Sequence, residues 1–486
     1  MSKISLIDWM VVLLAGVMTV SCSQDNIMPE PERPVRPELE EDRLKDSVYV
    51  YTYGFYLWQE ELPDWRSNIR ERTAHFRSAE ELLTALKGYA RDESGELYDR
   101  YSFLDRWGTV NAEVQQGLAG SFGIDVRYLN DDELYIKRVD IGSPAYSAGI
   151  RRGWRVMRVN GRTDLSLASM ERDNFTFLFN ALDAGTITLG LVRPDGSEVS
   201  VELARKSYQL QPILARQVYA VGGKRIGYFA FDVFISTLNE RNNPTYVKGQ
   251  LDRLMEEFEG EGVQELIVDL RYNGGGAVIT AEYLSNLLAP ATANGQLMYT
   301  SKANEGLVRF LHSRGSDIDL SPVYFNKVNG LNINRIYFLV TESTASASEL
   351  LINNLEPYMD VKLIGEHATY GKPVGYFPWD IRGVDLYAVS FQMFNAKGYG
   401  DYFSGMGVDK EVYDDLTRDF GDPAESMIAE ALYYAAHGRF SADGVNRRAG
   451  IRAADGNTVS SHLNRALDRQ ERKGMYVFDV HNFFRN

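Results

Sequence analysis

One cysteine, Cys22, in 486 residues excludes an internal disulfide framework and leaves the body of the chain without a thiol for nucleophilic or redox chemistry. Histidine is nearly as sparse. The six are His75, His312, His367, His437, His462 and His481, and no two stand in an H-x-x-x-H pair, the spacing that sets two zinc ligands on one helix face. No glycine-rich loop runs into Gly-Lys-Ser/Thr and no G-x-G-x-x-G opens a helix, so neither nucleotide loop is in place. A net charge of −15 argues against nucleic acid as a partner, because phosphate binding wants basic patches. With metal, nucleotide and thiol chemistry set aside, what remains for catalysis is hydroxyl, amine and carboxylate.

The N-terminus reads as an export segment. Lys3 precedes an apolar run at residues 9–20 that is too short to span a bilayer comfortably. Thr19-Val20-Ser21-Cys22 then resembles a bacterial lipobox, in which the cysteine becomes the acylated N-terminus. The resemblance implies a signal peptide at residues 1–21, lipidation at Cys22, a membrane anchor and a place in the cell envelope. Residues 22–40 carry Pro29, Pro31, Pro34 and Pro37 among charges, the composition of an extended tether. Residues 41–106 read as a mostly helical module, with Ser78 and Glu81 spaced as a helix start.

From about residue 117 to 205 the pattern changes to short alternating strands, as at residues 133–139 and 186–192. Within it, Ser143-Pro144-Ala145 is a cap and first turn, Gly149 a helix stop, and Asn160-Gly161 a hairpin turn. The order of these signals resembles a bacterial PDZ domain. That implies a groove where a peptide adds as a strand, with the backbone of Phe122, Gly123 and Ile124 capturing a terminal carboxylate.

Residues 224–440 alternate between strand and helix signals. Apolar runs at 225–231, 265–270, 333–340 and 361–364 read as buried strands, and 246–258, 277–288, 349–358 and 423–436 as helices. Alternation of this kind predicts an α/β layer fold, within a multidomain α+β chain. Residues 441–486 form a polar appendage.

Two segments here could hold a nucleophile and its base. Ser343-Thr344-Ala345-Ser346-Ala347-Ser348-Glu349 follows a buried strand, where a hydroxyl would meet the positive end of the next helix. Four hydroxyls compete, and physical reasoning alone does not choose among them. Thr369-Tyr370-Gly371-Lys372 follows the next strand, and a lysine buried there loses its charge and becomes a base. Lys362 is a rival that looks solvent-facing. His367 is the one histidine near the segment, a minor candidate for a Ser-His arrangement. Asn273-Gly274-Gly275-Gly276, between a strand and a helix, leaves bare backbone N–H groups that could face an oxyanion.

Taken in order, the helical region, the PDZ pattern, "DLRYNGGG", "STASASE" and "GEHATYGK" resemble the S41 family of C-terminal processing peptidases, over about residues 45–440. The resemblance implies a ClpP/crotonase-type catalytic domain with Ser346 as nucleophile and Lys372 as general base. Ala347, Gly274 and Gly275 would supply the oxyanion hole, and Glu349 and Thr369 would support it. Substrates would be polypeptide tails, with no cofactor. In one respect the chain departs from the pattern: many members carry glutamine four residues after the lysine, and here that residue is Tyr376. Two other readings stand beside the peptidase: a PDZ-bearing peptide-binding lipoprotein without turnover, and another acyl-transfer enzyme using the same dyad.

Overall fold

All five residues of the strand Glu265–Asp269 are buried, the mark of a strand covered on both faces. It lies in a six-stranded sheet whose order is Lys410–Glu411, Asp360–Gly365, Arg335–Val340, Glu265–Asp269, Lys224–Phe231 and Ile213–Val221. Neighbours pair parallel except the last two, which form an antiparallel pair. The structure is a computed structural model that describes residues 37–313 and 320–442. Cys22, the signal segment, most of the tether and nearly all of the expected appendage lie outside the described residues.

Alternation along each strand sends residues to two cores. Phe229, Leu266, Val268, Ile336 and Phe338 pack with the helices Tyr246–Gly260, Val278–Leu288 and Ala347–Leu355. Tyr228, Ile267, Tyr337, Leu339 and Ile364 pack with the helix Ser426–His437. Both faces are thus covered by helices, as the strand–helix alternation predicts. The loops at the carboxyl ends of three adjacent parallel strands then lie side by side, the place where open α/β sheets build their sites. Those strands are Glu265–Asp269, Arg335–Val340 and Asp360–Gly365, and the loops carry Gly274–Gly276, Ser346 and Lys372.

A second, five-stranded antiparallel sheet was not expected from the sequence. Its centre is a hairpin of Val374–Ile381 and Val384–Asn395, turned at Arg382 (φ 59°) and Gly383 (φ 80°), the positive φ values of a tight hairpin turn. The hairpin starts directly after Lys372. Along the other edge of Val384–Asn395 runs the short strand Phe103–Asp105. The helices Pro37–Phe55 and Ala79–Lys87 feed Val48, Tyr49, Leu82 and Leu86 into the same core as the main sheet, so the N-terminal helices are built into the body of the fold. Residues 37–40, expected as the end of the tether, are the first turn of a helix. Proline is tolerated there because the N–H it lacks has no helical partner. Ser78 accepts from the Glu81 N–H at 3.2 Å, as its spacing suggests.

Residues 124–204 hold another five-stranded antiparallel sheet in chain order: Ile124–Asn130, Glu133–Val139, Arg155–Val159, Thr186–Val192 and Glu198–Ala204. It has its own core, around Phe122, Ile136, Ile150, Met170 and Leu189. Ser143 caps a short helix through the Tyr146 N–H at 3.1 Å, and Asn160 and Gly161 both take positive φ in a closed turn.

Candidate active site

The serine run resolves into different jobs once its backbone is folded. Thr344 Oγ1 donates to Leu270 O at 2.8 Å, and Ser348 Oγ donates to Asn273 O at 3.0 Å. These two hydroxyls stitch the turn to the loop after the neighbouring strand. Ser346 instead sits at the elbow itself, at φ 57° and ψ −112°, immediately before the helix Ala347–Leu355. A non-glycine residue held there costs about 1–3 kcal/mol, and such strain clusters where geometry serves function.

Glu349, on the first turn of that helix, is wholly buried and gathers four donors. Its Oε2 accepts from the backbone N–H of Ser346 and of Lys372, each at 2.8 Å. Its Oε1 accepts from the Gly371 N–H at 2.7 Å and from Thr369 Oγ1 at 2.5 Å. One carboxylate therefore clamps the serine elbow to the lysine loop. A further bond runs from the Tyr370 N–H to Thr344 O at 2.9 Å. Burial pushes the Glu349 carboxyl above its ordinary value, against the hydrogen bonds that favour its ionised form.

Lys372 is 1% exposed, and its Nζ makes no hydrogen bond. The Ser346–Lys372 hydrogen bond that a ready dyad would make is therefore not formed in this structure. Desolvation holds the amine well below its usual pKa, while the charges of Glu349 and Asp99 pull it upward. Nζ stands 3.9 Å from the centre of the Tyr376 ring. Tyr376 O–H donates to Tyr101 O at 2.8 Å, and Tyr101 O–H donates to Gly371 O. Asp99 is fully buried and held by Tyr56 O–H, by the Tyr101 and Ser102 N–H groups and by Ser102 O–H. Sequence reading missed Asp99, Tyr101 and the role of Tyr376. They lie in separate stretches, and no local spacing reveals that residues 100 and 101 meet residues 371 and 376.

Lys362 is paired with Asp360 at 2.7 Å, and His367 is half-exposed with Nδ1 3.1 Å from Glu411.

The glycine loop is pressed against the serine elbow. A Cβ on Gly275 (φ 106°) would stand 2.9 Å from Ser346 Cβ and 3.0 Å from Ala347 N, and one on Gly276 (φ 139°) would stand 2.3 Å from Phe234 O. The Gly275 N–H donates to Asn273 Oδ1 at 2.8 Å. Asn273 O in turn accepts from the Ala345 N–H at 3.1 Å. Behind the loop, buried Arg271 reaches Asp269, Asp414 and Glu425 at 2.7–3.0 Å, which fixes the point where the strand ends.

Of the residues expected to capture a carboxylate, Phe122 is buried and the Gly123 N–H donates to Ser121 Oγ at 3.0 Å. Ile124 opens an edge strand whose one neighbour in the sheet order is Glu133–Val139. This unit meets the main sheet through Arg127–Glu366 (2.7 Å), Arg138–Asp232 (2.6 Å) and Arg152–Asp414 (2.6 Å). Beside the lysine loop opens a cleft of about 1010 Å³, walled by Tyr101, Phe103, Trp107, Thr369, Tyr370 and Tyr376 among others.

The profile of Peptidase family S41 matches residues 225–413, the stretch that carries the glycine loop, the serine elbow and the lysine. Proteins of several Staphylococcus aureus strains named "Probable CtpA-like serine protease" are 24% identical over 327 residues, covering 66% of this chain and 58% of theirs. A Synechocystis "Carboxyl-terminal-processing protease" is 22% identical over 307 residues, covering 63% of this chain and 62% of its own. This chain thus spans less than two thirds of the length of those relatives. Among solved structures, a Bacteroides fragilis protein assigned to the S41 proteases is 24% identical at a TM-score of 0.60, covering 85% of this chain and 100% of its own. Residues 225–413 thus match the Peptidase family S41 profile, in a chain similar to CtpA-like and carboxyl-terminal-processing proteases.

Proposed function

We propose that the chain is a serine endopeptidase that cleaves polypeptides with a Ser346/Lys372 dyad. The observation that carries this reading is a fully buried lysine amine, whose charged form desolvation disfavours, on a loop whose backbone Glu349 ties to a strained serine elbow. An extended peptide lies in the cleft beside the lysine loop. Lys372 takes the Ser346 proton as Oγ attacks the scissile carbonyl, then gives it to the leaving amine. The N–H groups of Ala347 and Gly274 face the oxyanion. Thr369 acts through Glu349. Residues 117–205 serve as a PDZ domain that adds a substrate tail to the edge strand Ile124–Asn130, and Cys22 anchors the enzyme by lipid in the cell envelope.

Incubation with a fluorophosphonate and with quenched fluorescent peptides tests the dyad. Phosphonylation of Ser346, read by mass spectrometry, is expected together with peptide cleavage, both lost in Ser346→Ala. A second reading, a peptide-binding lipoprotein without turnover, is favoured by the missing Ser346–Lys372 hydrogen bond and by Tyr376. Peptide binding with neither labelling nor cleavage would establish it instead.

The glycine loop supplies a further prediction. Gly275→Ala places a methyl group against Ser346 and Ala347 at a φ that side chains avoid. Hydrolysis is expected to fall by roughly 10²-fold, the scale of an ångström-sized misplacement at a reacting centre. Steady-state kinetics alongside circular dichroism checks this; an unchanged kcat would place the oxyanion donors elsewhere.

A further inference from the structure

The amine of Lys372 has no hydrogen-bond acceptor, yet it is not held by apolar walls alone. Its Nζ stands 3.9 Å from the centre of the Tyr376 ring, close enough for a strong contact with the π face. That ring is fixed from several sides. Its hydroxyl donates to Tyr101 O at 2.8 Å, and its edges meet Phe103 and Tyr387 in T-shaped contacts at 6.0 and 5.9 Å. Strand register adds an independent sign. Gly375 pairs with Phe391 and Tyr376 with Val389, so the ladder skips Ser390 and bulges at this residue. Bulges next to sites re-aim a side chain.

We propose that Tyr376 is the positioning residue for Lys372: its ring face takes the place of a hydrogen-bond acceptor, fixing the amine and stabilising the ammonium formed there. The inference rests on the dyad reading. In the step concerned, the Ser346 Oγ–H bond breaks and an Nζ–H bond forms. The new positive charge arises over the negative face of the ring, within the field of Glu349 and Asp99. A tyrosine suits this better than an amide in a dry site, because a ring face needs no partner while the amine is neutral. The phenol holds the ring and leaves its electron density free to serve the amine.

The test separates shape from π density. Tyr376→Phe keeps the ring; Tyr376→pentafluorophenylalanine keeps its shape and inverts the charge of its face; Tyr376→Leu removes it. In the full chain, the Lys372 titration is followed by NMR with 13Cε-labelled lysine, and the pH dependence of kcat/KM in parallel. Tyr376→Phe is expected to match the wild type within about twofold. The fluorinated ring and leucine should move the titration and the acid limb to lower pH and reduce plateau kcat by roughly ten- to thirty-fold. Identical titrations and kcat for the phenylalanine and pentafluorophenylalanine variants would overturn the proposal, even if leucine fails to fold. Should Ser346→Ala cleave as well as wild type, the dyad reading fails separately, since the Lys372 titration still reports on the ring.

Discussion

Replacing Lys372 by methionine is expected to abolish peptide hydrolysis and to make the protein more stable. The two effects come from one cause. An amine that is 1% exposed and has no hydrogen bond is a poor component of a folded protein, and about 1–3 kcal/mol of stability is the usual penalty for a buried polar group without a partner. Methionine keeps the length and flexibility of the side chain and leaves nothing to desolvate. Hydrolysis should drop by about 10⁴-fold or more, the scale seen when a nucleophile loses its base. The pH dependence follows from the depressed pKa. Between the native pKa of Lys372 and its unfolded value, the unfolded chain binds a proton that the native state does not, so wild-type stability rises with pH in this window. The stability gap to Lys372→Met should therefore be widest at and below the native pKa of Lys372 and narrow as pH rises towards about 10.4. Activity should rise with pH through the same native pKa, placing its acid limb well below the ordinary lysine value. Urea titrations at several pH values measure the first effect and kcat/KM profiles the second. A methionine variant less stable than wild type at pH 7 would mean that the amine finds a partner in solution.

How far the sequence reveals this arrangement depends on whether the information is local. The strands at Glu265–Asp269 and Arg335–Val340 were legible because a strand covered on both faces is a nearly unbroken apolar run. The Ser143 cap and the Asn160-Gly161 turn were legible because each is decided within a few residues. The hairpin Val374–Ile381/Val384–Asn395 was not. Both strands are buried almost throughout, so neither shows alternation, and Pro378 interrupts a run that would otherwise read as a strand. At the site, the glycine loop, the serine run and Lys372 were candidates from local pattern, and motif resemblance pointed to Ser346 among the hydroxyls. Among the four hydroxyls left open, Thr344 and Ser348 are bonded to the loop after the adjacent strand and Ser346 holds the elbow before the helix, differences that exist only in three dimensions. Asp99 and Tyr101 could not be read at all, because what they do depends on a strand pairing between Phe103–Asp105 and residues far along the chain.

The strongest structural dependence falls on Glu349. Every group that meets its two oxygens is a donor: three backbone N–H groups and the Thr369 hydroxyl. Glu349→Ala leaves those three N–H groups without an acceptor inside a region that excludes water, and it cuts the link between the serine elbow and the lysine loop. Each orphaned group costs about 1–3 kcal/mol, and local relaxation recovers part of the sum, so a loss of about 3–5 kcal/mol is expected. Hydrolysis should become undetectable, since the Ser346 N–H loses the acceptor that helps hold its backbone at a strained φ. Glu349→Gln makes the sharper comparison. Its single oxygen can stay on the Ser346 and Lys372 N–H groups, and its NH₂ can donate to Thr369 Oγ1, but the Gly371 N–H then faces another donor. The glutamine variant should therefore fall between wild type and alanine in stability, and keep measurable turnover because the serine elbow remains tied to the lysine loop. Thermal and urea unfolding, with the rate of Ser346 phosphonylation as the probe of site geometry, distinguish the three proteins. If alanine phosphonylates as fast as wild type, the elbow holds its shape without Glu349, and the clamp has no part in activating the serine.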